Sequence, residues 1–189
     1  LLNKCIVSSI VFLSGCLMPL QSSFAKPVLS LEQQLGQKLI LDFRYFCQHG
    51  ASTKCRIPMT ELPNELSTAI AKYDIGGVIL FSENTQSIEQ TITLNSQLQT
   101  AASKSSSKLP LFISIDQEGG RVARLPRDVA TSFTGNMSIG ATYKKHGTSF
   151  ATKTATVIAK ELNSLGINVN YAPTVDVNMN PDNPVINVR

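Results

Sequence analysis

Leu109-Pro-Leu-Phe-Ile-Ser-Ile115, running without a break into Asp116-Gln-Glu-Gly-Gly-Arg-Val-Ala-Arg-Leu125, is the stretch that decides the fold. The first seven residues are apolar and rich in branched and aromatic side chains, the pattern of a strand buried in a parallel sheet. The ten that follow bring two acids, two arginines and a glycine pair to that strand's carboxyl end. In α/β folds this is where binding and chemistry gather.

Working outward, Ile75 to Phe81 predicts a strand before this one and Ile167 to Ala172 predicts one after it. Ser87 opens a helix that carries Ile88, Ile92 and Leu98. A longer helix, from about Ser149 to Leu165, is expected to bury Ala151, Ala155, Ile158, Ala159, Leu162 and Leu165, with Gly166 placed as its C′ residue. Nearer the start, Ser30 with Glu32 and Gln33 resembles a capping box. Leu31, Leu35, Leu39 and Phe43 then recur at helical spacing, which predicts a helix from Leu31 to Arg44. Thr60 is placed to cap a further helix bearing Leu62, Leu66 and Ile70 and ending near Tyr73. Ser103 to Lys108 reads as a solvated connector, and the segment between the Asp116 loop and Ser149 as irregular. Three strands alternating with helices make an α/β chain with parallel crossovers. Its 189 residues fit a doubly wound, flavodoxin-like domain better than an eight-stranded barrel, which typically takes about 250.

Composition narrows the class. With 42% hydrophobic residues and a formal charge of +4, the chain is globular rather than disordered. Its basic residues form no stripe interleaved with aromatics, which argues against nucleic acid as a partner. Residues 1–25 read as a signal peptide: Lys4 is the basic end, Cys5 to Leu20 is largely apolar and too short for a stable membrane span, and Ser23-Phe24-Ala25 fits a cleavage site. The expected location is therefore outside the cytoplasm, periplasmic or secreted. Leu13-Ser-Gly-Cys16 offers an alternative, a lipoprotein anchored through Cys16. Cys47 and Cys55 remain after the leader, and an even count in an exported chain suggests a disulfide between them, with two free thiols as the other reading. No Cys-x-x-Cys pair or histidine pair has ligand spacing, so no metal is expected.

The wording of the Asp116 loop resembles the Asp-Gln-Glu-Gly-Gly-Arg segment of family 3 glycoside hydrolases, in the branch of exo-acting β-N-acetylglucosaminidases. Gly76-Gly-Val-Ile-Leu-Phe81 with Asn84 is similar to that family's first barrel strand and its exit. Leu165-Gly-Ile-Asn-Val-Asn-Tyr-Ala-Pro-Thr-Val-Asp-Val177, then Asn183-Pro-Val-Ile186 and Arg189, is similar to its third strand and following loop. The resemblance covers Leu29 to Arg189. It implies an α/β (β/α)8 barrel of TIM type, of which residues 26–189 hold the amino-terminal part, about three strands. It also implies a glycosidase that removes terminal non-reducing β-N-acetylglucosamine from chitooligosaccharides or peptidoglycan fragments, with no cofactor. A β-glucosidase of the same family and an exported, non-catalytic sugar-binding module are the rival readings.

By that resemblance Asp116, Arg124 and Arg189 bind the hydroxyls of the terminal sugar, with Asp176, Gly119 and Gly120 as pocket support. A carboxylate at a strand end can accept two charge-assisted hydrogen bonds from neighbouring hydroxyls. The plainer readings are an Asp116 that caps the next turn and an Arg124 that lies over the surface. Gly119 and Gly120 are expected to allow close approach to a ligand, Glu118 and Arg121 to pair within the loop, and Asn178, Asn180, Asp182 and Asn183 to form solvated turns. A retaining glycosidase uses a carboxylate nucleophile and a second, proton-donating group. In the resembling branch that second group is a histidine in a Lys-His-Phe-Pro-Gly-His-Gly-like segment. Neither His49 nor His146 has that context, so no catalytic residue is assigned within these 189 residues and the chain alone is expected to be inactive.

Overall fold

The computed structural model describes residues 28–47, 54–180 and 182–186. The leader, Cys16, His49 and Arg189 lie outside the described residues. The order of elements is α1 (Leu31–Gly36), β1 (Ile40–Asp42), α2 (Asn64–Lys72), β2 (Gly77–Leu80), α3 (Ile88–Ala102), β3 (Phe112–Ile115), α4 (Asn136–Ala141), α5 (Tyr143–His146), α6 (Ser149–Ser164) and β4 (Val169–Asn170). All four strands are parallel, and their order in the sheet is their order in the chain, β1-β2-β3-β4. A doubly wound domain reverses its strand order at a switch point. This sheet does not, and sequential winding with a helix in every crossover is the beginning of a (β/α) barrel.

The sheet has one strand more than the sequence pattern predicts. Ser30 forms its capping box as expected, its Oγ accepting from the Gln33 backbone N–H and its own N–H donating to Gln33 Oε1. The helix nevertheless ends at Gly36 instead of Arg44. Gly36 is buried so tightly against the end of α2 that a Cβ there would lie 2.0 Å from the Tyr73 carbonyl oxygen. Its own carbonyl accepts from the Leu39 and Gly76 N–H groups. Beyond it the chain extends, and Ile40, Leu41 and Asp42 pair with Gly77, Val78 and Ile79. The recurrence of Leu35, Leu39 and Phe43 therefore spans a helix and a strand, and Leu31 and Leu35 are exposed.

The core lies between the strands and their helices. Val78, Leu80, Ile113 and Ile115, alternate residues of β2 and β3, are fully buried and cluster with Ile70, Leu94, Leu98 and Leu111. On the opposite face Ile40 and Phe112 stay exposed on either side of Gly77. The helix expected from Thr60 starts at Asn64 with Pro63 at its N-cap, so Leu62 falls outside it. Ser87 caps α3 as expected, although Ile92 is exposed and Leu94 and Leu98 carry the packing. Residues 103–108 are not simply solvated. Ser105 is buried, and the Ser107 backbone N–H donates at 2.8 Å to the carboxylate of Asp74, which is itself buried. The segment predicted to be irregular contains α4 and α5. In α6 only Ile158 and Leu162 are buried, with Leu165 just beyond its end. Ala151, Ala155 and Ala159 line a cavity of about 240 Å³ between α6, Ile139 of α4 and the exit of β4, because alanine side chains are too short to close that gap.

Candidate functional site

The carboxyl ends of β1, β2 and β3 meet, and each delivers charged side chains. At β3 the chain leaves the sheet at Ile115 and presents Asp116, half-buried, whose Oδ2 accepts from Arg124 Nη2 at 3.3 Å. That pairing excludes the reading of Asp116 as a turn cap and of Arg124 as a loose surface arginine. The loop between them is tied down through buried Gln117. Its Oε1 accepts from the backbone N–H groups of Arg124 (2.7 Å) and Leu125 (3.3 Å). Its own backbone pairs reciprocally with the side-chain amide of Asn170 in β4, N–H to Oδ1 at 2.9 Å and O from Nδ2 at 2.9 Å. Thr85 Oγ1 donates to the Arg124 carbonyl at 2.7 Å and links the loop to the exit of β2. The position of Arg124 is thus fixed by three neighbours, each acting on its backbone or its charge.

Gly119 and Gly120 give this loop its tight turn. They turn at φ +90° and +58°, and a Cβ on Gly119 would meet Phe133 Cβ at 2.9 Å, one on Gly120 the Thr134 carbonyl at 3.0 Å. Within the chain, their close approach is to residues 133–135. Glu118 turns inward and is buried, accepting from Asn136 Nδ2 (3.0 Å) and Thr174 Oγ1 (3.1 Å), while Arg121 is exposed. In place of the pair anticipated between Glu118 and Arg121, Glu118 bonds inward to Asn136 and Thr174, and Arg121 lies exposed within the Gly119–Val122 turn. Asp176 is exposed on the extended segment after β4, with no bond to Asp116 or Arg124. Asn180 and Asn183 accept from the N–H groups of Asp182, Val185 and Ile186, the solvated turns the sequence predicts.

The β1 and β2 exits contribute residues that the sequence reading passed over. Asp42 ends β1 and Arg44 follows it, with Arg44 Nη2 3.6 Å from Asp42 Oδ2. The Arg44 guanidinium sits 3.5 Å from the centre of the Phe81 ring, and that of Arg124 sits 5.6 Å from the same centre. Glu83 accepts from the Tyr45 hydroxyl at 2.8 Å and lies 4.0 Å from Arg44 Nε. Burial opposes the charge of Glu83, but the Tyr45 hydroxyl, a backbone bond and the two nearby arginines outweigh it and hold the carboxyl below its usual range. The same bond, with partial desolvation, keeps the proton on Tyr45 and raises its pKa. Fully buried Asn84 braces the two exits, accepting from Phe81 N–H and donating to the Met59 carbonyl at 2.9 Å. The available signal was the triplet Ile40-Leu41-Asp42, an apolar run ending in an acid, the same template as Ile113 to Asp116 in miniature.

Behind Tyr45 the chain is clipped. Cys47 and Cys55 form a disulfide with Cα atoms 6.1 Å apart, and Phe46 N–H to Ile57 O and Met59 N–H to Arg44 O, both 3.0 Å, close the strap. Chemically the cluster suits a neutral, hydroxyl-rich ligand: carboxylates to accept, guanidinium groups to donate and an aromatic ring beneath. His146, the histidine among the described residues, is exposed on α5 against Phe150, ring centres 4.9 Å apart.

Three comparisons bear on this geometry. The sequence profile of the glycosyl hydrolase family 3 N terminal domain matches residues 30–189. Beta-hexosaminidase A of Pseudoalteromonas piscicida is 66% identical over 169 residues, covering 87% of this chain and 28% of that protein. A beta-N-acetylglucosaminidase/beta-glucosidase of Cellulomonas fimi is 33% identical over 135 residues, 71% of this chain and 22% of that one. Among solved structures, a family 3 β-N-acetylglucosaminidase from Paenibacillus sp. superposes with a TM-score of 0.69 at 37% identity, covering 84% of this chain and 27% of its own. The chain thus spans roughly a quarter of the length of these relatives.

Proposed function

Because the chain belongs to glycosyl hydrolase family 3, we propose that it supplies the sugar-recognition side of an exo-acting β-N-acetylglucosaminidase, working on terminal non-reducing N-acetylglucosamine of chitooligosaccharides or peptidoglycan fragments. The observation that carries this reading is the Asp116–Arg124 pair at the end of β3, locked in place by Gln117, Asn170 and Thr85. Oδ1 of Asp116 accepts no hydrogen bond among the described residues, so it is available to a sugar hydroxyl. Arg124 offers its remaining N–H groups to the next oxygen on the ring. Neighbouring hydroxyls on a pyranose are spaced to use such a pair, and bonds to a charged partner are the strong ones. Arg189 is assigned to the same sugar and Asp176 to pocket support by resemblance. Asp116 is given a binding role, not that of nucleophile, because the matching position of the resembling family binds the sugar.

A β-glucosidase is the second reading, favoured by the double name of the Cellulomonas fimi relative. The test is to express the polypeptide encoded by the complete reading frame around these residues and compare its turnover of aryl β-N-acetylglucosaminide with that of aryl β-glucoside. A kcat/KM that favours the glucoside would overturn the first reading. Binding of N-acetylglucosamine without turnover of either would point to a non-catalytic sugar-binding module. We place the protein outside the cytoplasm, by cleavage after Ala25 or by an anchor at Cys16; the Cys47–Cys55 disulfide supports an oxidising compartment. Replacing Cys16 with Ala and following membrane fractionation separates the two routes.

A further inference from the structure

The β1 and β2 side of the pocket has charges that the Asp116–Arg124 pair does not account for. Glu83 lies beside two guanidinium groups that share one aromatic ring, Arg44 at 3.5 Å and Arg124 at 5.6 Å from the centre of Phe81. The Nε atoms of both arginines are buried without a hydrogen-bond partner. Their planes are therefore held by the ring and by opposite charge more than by a full set of bonds. Without a carboxylate, two like charges over one ring would push apart. Glu83 is placed to prevent that, 4.0 Å from Arg44 Nε and steadied by the Tyr45 hydroxyl at 2.8 Å. Tyr45 in turn is fixed by its bridge to Pro58 and by the Cys47–Cys55 clip.

The signs alternate around the pocket rim. Asp42, Glu83 and Asp116 are set against Arg44, Arg124 and, over the Tyr45 ring at 5.4 Å, Arg56. Three carboxylates stand against three guanidinium groups, so the rim carries no surplus of positive charge to draw an anionic ligand. It offers a neutral sugar many donors and acceptors at little cost in net charge.

Resting on the proposed glycosidase reading, we infer that Glu83 is a positioning residue and specificity determinant of the sugar pocket: acting through Arg44 and Arg124, it presents the pair to a neutral terminal sugar and excludes anionic sugars such as uronates. Arg44 is then a wall of the pocket on the β1 side. Removing the charge of Glu83 should loosen Arg124 over Asp116 and leave Asp42 as the carboxylate neighbour of Arg44, weakening neutral-sugar binding while admitting a carboxylate.

The test uses the polypeptide of the complete reading frame, with steady-state kinetics on aryl β-N-acetylglucosaminide and with sodium glucuronate and N-acetylglucosamine as competitive inhibitors. Glu83→Gln should raise KM on the order of tenfold with kcat within about twofold, the signature of lost binding common to ground and transition state. It should also strengthen inhibition by glucuronate relative to N-acetylglucosamine. Glu83→Asp, which keeps the charge, should restore the wild-type preference between the two inhibitors. Tyr45→Phe, which leaves Glu83 charged but unsteadied, should shift KM in the same direction by a smaller factor, and it carries the test if Glu83→Gln fails to fold. An active wild type with unchanged KM and unchanged inhibitor preference in Glu83→Gln and Tyr45→Phe would overturn this inference alone, as would a lowered thermal midpoint without either change. A wild type that turns over neither aryl glycoside would overturn it together with the functional reading it rests on.

Discussion

A single carboxylate can be read by what its neighbours have already done with its charge. Asp116 gives one oxygen to Arg124 and keeps the other toward the pocket. Asp116→Asn would keep the shape and lose the charge-assisted bonds, worth about 1.5 to 3 kcal/mol. A 10- to 100-fold fall in kcat/KM on aryl N-acetylglucosaminide, with the thermal midpoint little changed, is the expected result. Asp74 shows the opposite use of the same side chain. It is buried and far from any ligand-facing residue, and its burial works against its charge. Bonds from the Ser107 hydroxyl and backbone, from Ser105 and from Gln33 outweigh that cost and hold its pKa below the usual value. A carboxylate with a depressed folded-state pKa contributes stability above its unfolded pKa, about 3.9, and that contribution is lost as pH falls through the folded value. Asp74→Asn should therefore be less stable than wild type near pH 7, with the gap closing below about pH 4. Urea unfolding across that range would show it, and a gap independent of pH would refute the assignment.

Local pattern predicted most of the elements, ran α1 past its end, and passed over β1, α4 and α5. The strands around Val78 and Ile113, the Ser87 and Ser30 caps and the C′ role of Gly166 at φ +80° were all legible, because each rests on a short-range rule. The exit of α1 was not, because the reason lies 37 residues away, where the Tyr73 carbonyl leaves no room for a Cβ on Gly36. Asp42 and Arg44 were missed for the same reason, since once β1 is read as helix its exit is not a place to look; Glu83 follows β2, which the pattern did predict, but its partners Tyr45 and Arg44 come from that unread exit. Gly36→Ala should cost about 3 kcal/mol or more through overpacking against backbone. Gly140→Ala in α4, where a Cβ meets nothing within 4 Å, should be neutral or gain up to about 1 kcal/mol. Thermal unfolding of the two single variants separates close packing from helix propensity. The Cys47–Cys55 strap behaves as an element too. Opening it by the double change Cys47→Ser and Cys55→Ser should cost about 2 to 3 kcal/mol on the chain-entropy estimate and raise KM by loosening Tyr45.

For the molecule as a whole, strand order carries more than strand number. Four parallel strands in sequential order share a sheet whose helix side holds the core and whose other face is partly open. Ile40 is 39% and Phe112 54% exposed on that face, at the one register position where Gly77 between them has no side chain. On the helix side, α6 leaves a cavity of about 240 Å³ beside Ala151, Ala155 and Ala159. A barrel buries the inner face of every strand, so the face that carries Ile40 and Phe112 is apolar where a closed barrel would be covered, and exposed apolar area is a liability for an isolated chain. The 189-residue chain by itself should bind a hydrophobic dye, unfold over a broad range of denaturant instead of in one sharp transition, and hydrolyse no aryl N-acetylglucosaminide. The polypeptide of the complete reading frame should do the reverse on all three counts. A sharp, dye-silent transition by the 189-residue chain would mean that the exposed faces of β1, β3 and α6 are stable as they stand, and measurable turnover by it would mean that a catalytic pair lies among residues to which only binding and support have been assigned.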